Sequence, residues 1–252
     1  MTCIITALDY ARAQDATRLV AQLDPTLTRV KIGNELFTAA GPALVEHCQK
    51  QGFDVFLDLK YHDIPNTVAK AVAAAGSLGV WMVNLHAGGG LRMMLAAREA
   101  LVPYSGNKGT RLIGVTVLTS LDADELQDIG FAATPAEQAV RFATQVADAG
   151  LDGVVCSAHE VAAIKAAHGS HFLTVTPGVR PIGAAVTSSG SQSDDQRRVM
   201  TPVDAINNGS DYLVIGRPIT QAKNPGEALS TIHREIQSTV ASAENKRNGE
   251  TA

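Results

Sequence analysis

The sequence predicts a single-domain α/β protein built as a (β/α)8 TIM barrel. Three observations lead there. Short runs rich in Val, Ile and Leu recur eight times along the 252 residues. Helical stretches separate them, and no shift in composition marks a boundary between domains. Such runs suit strands buried on both faces of a parallel sheet. Eight strand–helix alternations over about 240 residues fit a closed barrel better than an open doubly wound sheet of about five or six strands.

Taken in order, CIITALD (Cys3–Asp9) is an apolar run ending in a carboxylate, followed by a helical stretch at Asp15–Leu23. RVKIG (Arg29–Gly33) ends in Gly and leads to Pro42–Gln49, and DVFLDLK (Asp54–Lys60) ends in a Lys and leads to Pro65–Ser77. WMVNLH (Trp81–His86) ends in a His before Leu91–Leu101. RLIGVTVL (Arg111–Leu118) precedes Pro135–Ala147, where Thr134-Pro135 is a helix start and Gly150 a stop. GVVCS (Gly153–Ser157) precedes Glu160–Ala167, and FLTVTPG (Phe172–Gly178) precedes Pro202–Asn207, closed by Asn207-Asn208-Gly209. YLVIGR (Tyr212–Arg217) is the eighth run, with a last helix from about Pro225 to Ser238. The barrel is expected over residues 1–242. The tail Ala243–Ala252 lacks large apolar residues and is expected to be disordered. The Gly/Ser-rich stretch Pro181–Asp195 follows the seventh run, where a barrel places an active-site loop. It fits a mobile lid at least as well as a passive linker.

Composition narrows the function. Hydrophobic residues at 45% and charged residues at 18% are ordinary for a globular chain. Aromatics are only 4%, too few for a base-stacking platform, and the net charge of −4 comes with no basic stripe. No nucleic-acid polymer is expected as partner. Cys3, Cys48 and Cys156 lie far apart without a Cys-x-x-Cys, which suits free thiols in a reducing compartment. No apolar run approaches the ~20 residues of a membrane span, and no signal-type segment opens the chain. The expected location is the cytoplasm, without membrane association.

The third run carries the densest chemistry. Asp58 and Lys60 are two apart, so on a strand they share a face, and Asp63 follows in the loop. In a barrel this end opens onto the active-site mouth. A salt bridge closing the barrel would also use such residues, although three charges exceed what closure needs. Carboxylates beside one ammonium keep that Lys protonated and fixed, which suits proton delivery to a developing carbanion. Asp9 and Lys31, at neighbouring strands, could extend the network, while His86 alone reads as a packing residue. At the eighth strand end, Gly216 would let backbone approach a phosphate and Arg217 would supply a matching fork, unless Arg217 is only a surface charge. Arg180 and the run Asp195-Gln196-Arg197-Arg198 point the same way. No Gly-rich dinucleotide turn and no metal-spaced His/Cys cluster is present, so no cofactor and no metal is expected.

With these residues in view, the chain resembles the orotidine 5′-phosphate decarboxylase family, the last enzyme of UMP synthesis. FLDLKYHDIPNT (Phe56–Thr67) matches the family's Asp-x-Lys-x-x-Asp-Ile-x-x-Thr pattern. ALDY (Ala7–Tyr10), VKIG (Val30–Gly33), VTVLTS (Val115–Ser120), TPGVRP (Thr176–Pro181) and VIGRPI (Val214–Ile219) match in family order. The resemblance implies Lys60 as proton donor, Asp58 beside the scissile carboxylate, and Lys31 and Asp63 completing the charge network. It implies a homodimer in which Asp63, Ile64 and Thr67 reach the neighbouring site, with Pro65 and Asn66 in the same binding segment. Asp9 would hold the ribose, Thr119 would lie at the pyrimidine, and Gln196, Gly216 and Arg217 would hold the phosphate with Arg180 beside them. The loop from Arg180 to Gln196 looks several residues longer than in bacterial members. A metal-dependent sugar-phosphate decarboxylase or aldolase using Asp58 and Glu35 is the competing enzyme class. A catalytically silent phosphate-binding scaffold is the competing non-enzyme.

Overall fold

The computed structural model describes residues 2–104, 109–181 and 200–249. Eight parallel strands close on themselves in sequence order. They are β1 (Ile4–Ala7), β2 (Arg29–Gly33), β3 (Val55–Tyr61), β4 (Met82–His86), β5 (Arg111–Val115), β6 (Gly153–Val155), β7 (Leu173–Thr176) and β8 (Tyr212–Ile215). Ile4 lies opposite Leu213 and Ile5 opposite Val214, which shuts β1 onto β8. The barrel expected from the eight apolar runs is therefore present.

Several ladders stop earlier than the apolar runs do. β5 ends at Val115 and β6 at Val155, while the runs continue to Leu118 and Ser157. The reason is that Val117 and Leu118 lie past the ladder and Cys156 makes its last backbone bond, to the Val175 oxygen at 3.1 Å, yet all three wall a cavity at the barrel mouth. Hydrophobic character outlasts strand pairing wherever a site is lined by apolar groups.

The helices are α1 (Ala13–Val20), α2 (Asn34–Ala40), α3 (Pro42–Lys50), α4 (Pro65–Ser77), α5 (Leu91–Leu101) and α6 (Ala123–Asp128). After these come α7 (Pro135–Asp148), α8 (Val161–His168), α9 (Pro202–Asn207), α10 (Arg217–Thr220) and α11 (Pro225–Gly249). α3, α4, α7 and α9 carry Pro in the first turn, where a missing N–H costs nothing. Thr134 and Glu137 form a reciprocal capping box at α7, as do Asp122 and Glu125 at α6. The short helices α2, α6 and α10 lie outside the expected helical stretches; α9, equally short, was legible because Pro202 and Asn207-Asn208-Gly209 mark its ends. α11 runs to Gly249, well past Ser238 and into the segment expected to be disordered. Ala, Glu, Lys and Arg propagate an existing helix readily, because its nucleus is already formed.

Two apolar layers hold the barrel. Ile5, Ala7, Phe56, Met82, Ile113, Val175 and Val214 fill its interior, and a larger layer packs between strands and helices. Gly114 shows how close the outer layer sits: a Cβ there would lie 2.3 Å from Val146 on α7. At the strand N-terminal end the Arg29 guanidinium stacks 4.3 Å from the centroid of Trp81, and Trp81 meets Tyr212 edge-on at 5.0 Å. Arg111 donates to the Tyr212 hydroxyl at 3.0 Å, so this end is plugged. The open end is the other one. No helix among the described residues is long and apolar enough to cross a membrane.

Candidate active site

A cavity of about 590 Å³ occupies the barrel mouth. Asp9, Lys31, Asp58 and Lys60 form one wall; Thr119, Arg180, Gly216 and Arg217 belong to the others. Strand alternation sets this up. Phe56 faces the barrel interior, so Asp58 and Lys60 face the same way one and two steps higher, and Lys31 does so on β2.

The charged groups form a chain. Lys31 Nζ lies 3.0 Å from Asp9 Oδ1 and 3.4 Å from Asp58 Oδ2. Lys60 Nζ lies 2.7 Å from Asp58 Oδ1. Lys31 and Asp58 are each only 8% exposed, whereas Asp9 is open to solvent. Burial opposes the charge on Lys31, but Asp58 and Asp9 outweigh it and hold the ammonium above its ordinary pKa. Burial likewise opposes charge on Asp58, yet Lys31, Lys60 and hydrogen bonds from Lys60 and Asn84 hold its carboxyl below the usual range. Gly33 makes room for this: a Cβ there would come within 3.3 Å of Lys31 Nζ.

Lys60 is strained. Its φ of +50 is the left-handed region, unusual for a side chain without the local hydrogen bonding of Asn or Asp. The register between β3 and β4 shifts from Leu57–Val83 to Tyr61–Leu85, a bulge-like break in the ladder that contains Asp58 and Lys60. Such a conformation costs about 1–3 kcal/mol and is characteristic of functional sites.

Asn84 was missed from sequence. It is fully buried, donates from Nδ2 to Asp58 Oδ1 at 2.7 Å, and accepts from the Lys60 N–H at 2.8 Å. The available signal was a lone amide inside MVNLH, since a buried amide demands partners.

The remaining residues divide clearly. Thr119 is buried on the cavity wall. Arg217 opens α10 with Gly216 as its N-cap. A Cβ on Gly216 would meet nothing closer than 3.7 Å, so neither packing nor φ demands glycine there; its absence keeps cavity volume toward Asp9. Asp63, Ile64, Asn66 and Thr67 are exposed and, with Pro65, are not among the walls of this cavity. Asp63 Oδ1 accepts from the Ile64 N–H at 2.6 Å, and Ile64 is 66% exposed. His86 stacks against His62 at 5.5 Å with its pKa pushed down by burial and then by His62, and it does not line the cavity. Glu35 is exposed on α2 and also lies off the walls. Gln196 and nearly all of 181–195 lie outside the described residues.

The chain is similar to known proteins over nearly its whole length. The family model for "Orotidine 5′-phosphate decarboxylase / HUMPS family" matches residues 2–232. The orotidine 5′-phosphate decarboxylase of Pectobacterium carotovorum subsp. carotovorum (strain PC1) is 55% identical over 239 residues, 95% of this chain and 94% of the relative. That of Aliivibrio salmonicida (strain LFI1238) is 55% identical over 233 residues, 92% of this chain and 96% of the relative. The crystal structure of orotidine 5′-phosphate decarboxylase from Lactobacillus acidophilus superposes with a TM-score of 0.81 at 34% identity, covering 94% of this chain and 99% of that one.

Proposed function

The chain belongs to the orotidine 5′-phosphate decarboxylase / HUMPS family, and from that premise we propose that it converts orotidine 5′-phosphate to UMP and CO2 without a cofactor. The observation that carries the mechanism is Asp58 gripped between two ammonium groups at the wall of the mouth cavity.

In this mechanism the bond from the pyrimidine ring to its carboxylate breaks heterolytically. CO2 leaves and the electron pair stays on the ring carbon. That vinyl carbanion has no adjacent electron sink, so stabilisation has to come from fixed charge nearby. The Lys60 ammonium supplies it and then transfers a proton from Nζ to the ring carbon, giving UMP. Asp58 keeps Lys60 in place and faces the departing carboxylate. Repulsion between the two at ~4 Å would be roughly 4 kcal/mol at an effective dielectric of 20. Both oxygens of Asp58 are already engaged, Oδ1 by Lys60 and Asn84 and Oδ2 by Lys31, which favours charge–charge chemistry over metal ligation there.

Binding energy comes from the rest of the cavity lining. Arg217, Gly216 and Arg180, with Gln196, are assigned to the phosphate, Asp9 to the ribose and Thr119 to the pyrimidine. Phosphate contacts remote from the reacting carbon can be used to order the site. The functional unit in this proposal is a homodimer. Its support is that Asp63, Ile64 and Thr67 are exposed and off the walls of their own cavity, free to complete a second one. A cytoplasmic, soluble enzyme of UMP synthesis is the corresponding cellular assignment.

The direct test is the loss of orotidylate ultraviolet absorbance on adding purified protein, with UMP identified as product. No turnover would overturn the proposal.

A further inference from the structure

We infer that Asn84 is a positioning residue for this reaction, a two-ended clamp that sets Lys60 and Asp58 relative to each other; the inference rests on the decarboxylase proposal. Asn84 sits on β4, opposite the bulge in β3, with no exposed surface. Its Oδ1 accepts from the Lys60 backbone N–H at 2.8 Å, within the stretch where the regular ladder between β3 and β4 is broken. Its Nδ2 donates at 2.7 Å to Asp58 Oδ1, the same oxygen that receives Lys60 Nζ at 2.7 Å. A flipped amide would set its NH2 against the Lys60 N–H and its oxygen against the carboxylate, so only one orientation satisfies both ends. One side chain therefore fixes the backbone from which Lys60 projects, in its left-handed conformation, and the carboxylate on which the ammonium rests.

An apolar residue of similar size would fill the space but leave the Lys60 N–H without its acceptor and Asp58 one donor short. The ammonium would then be presented with more freedom, and catalysis is sensitive to displacements near 1 Å. Substrate recognition by the phosphate wall would be untouched.

Asn84→Asp separates positioning from filling. When protonated, the introduced carboxyl can donate to Asp58 and accept from the Lys60 N–H, reproducing the clamp. When ionised it sets a second negative charge against Asp58, which raises its pKa and breaks the clamp. The charged groups that touch it are Asp58 and Lys60 on β3; Lys31 on β2 and Asp9 beyond β1 continue the chain from Asp58, and His86 on β4, with His62 after β3, acts on the same pair. The strand on the other side, β5, sets uncharged Ile113 and Val115 beside Asn84 and His86. Those groups are common to both proteins, so the ratio of variant to wild-type kcat isolates the new one.

The experiment measures kcat and KM for orotidine 5′-phosphate against pH for wild type, Asn84→Asp and Asn84→Ala. For Asn84→Asp the kcat ratio should rise toward unity at acid pH and fall by about 100-fold at alkaline pH, with KM little changed. Asn84→Ala should be low throughout. A pH-independent ratio for Asn84→Asp, or wild-type kcat in Asn84→Ala, overturns the inference and leaves the decarboxylase proposal standing. If Asn84→Asp does not fold, kcat of Asn84→Ala decides alone. Absence of turnover in the wild type overturns both.

Discussion

Lys60 Nζ and Asp58 Oδ1 are 2.7 Å apart on the inward side of one strand, and the backbone joining them passes into the left-handed region at Lys60 itself. The ammonium is thus held by its partner and by the strained strand end together. If that ammonium is the proton donor, Lys60→Ala should lower kcat by about 10⁴-fold or more while leaving UMP affinity measurable by calorimetry. Near-normal turnover would remove Lys60 from the role.

Arg217 lines the same cavity as the charge network. Arg217→Ala should raise KM for orotidine 5′-phosphate by about 10- to 100-fold, the worth of a hydrogen bond to a charged group. Binding of the nucleoside, which lacks the phosphate, should not change. Equal weakening of both ligands would contradict a phosphate role.

Asp63 is exposed and lies off the walls of its own cavity. Refolding equal amounts of Asp63→Ala and Lys60→Ala chains should yield hybrid dimers with one intact site, recovering about a quarter of wild-type activity if sites are shared across a two-fold interface. No recovery beyond the two parents would mean each chain is self-sufficient.

Lys31 holds Asp58 charged against burial. A carboxyl with a lowered folded pKa contributes stability above its unfolded value of about 3.9, lost as pH falls through the folded value. A Lys with a raised folded pKa contributes below about 10.4, lost as pH rises through its folded value. Together they give the wild type a neutral plateau. Lys31→Met leaves burial less opposed, so the Asp58 carboxyl should titrate higher and acid unfolding should begin at higher pH. Superimposable Tm–pH curves would contradict the coupling.

Much of this was legible in the sequence because its signals are local. Eight apolar runs gave the strand count, and two-residue spacing put Asp58 and Lys60 on one face. Pro and capping residues gave the starts of α4, α7 and α9 to the residue. What stayed hidden depends on closure. Strand ends were overrun because Val117 and Leu118 line the cavity beyond the end of β5. Asn84 could not be assigned, because its partners lie 24 and 26 residues away on another strand. The left-handed Lys60 was equally invisible, since nothing in the residue type favours it. Barrel position pointed Gly216, Arg217 and Arg180 toward a phosphate, whereas the ribose role of Asp9, the pyrimidine role of Thr119 and the choice of Gln196 came from the resemblance alone.

Fixed side-chain charge, without metal or cofactor, is proposed to drive decarboxylation. The deciding measurement is the initial rate of orotidine 5′-phosphate loss by protein stripped with EDTA and dialysed, compared with untreated protein. Equal rates are the expected result. A rate abolished by stripping and restored by a divalent metal would contradict the claim.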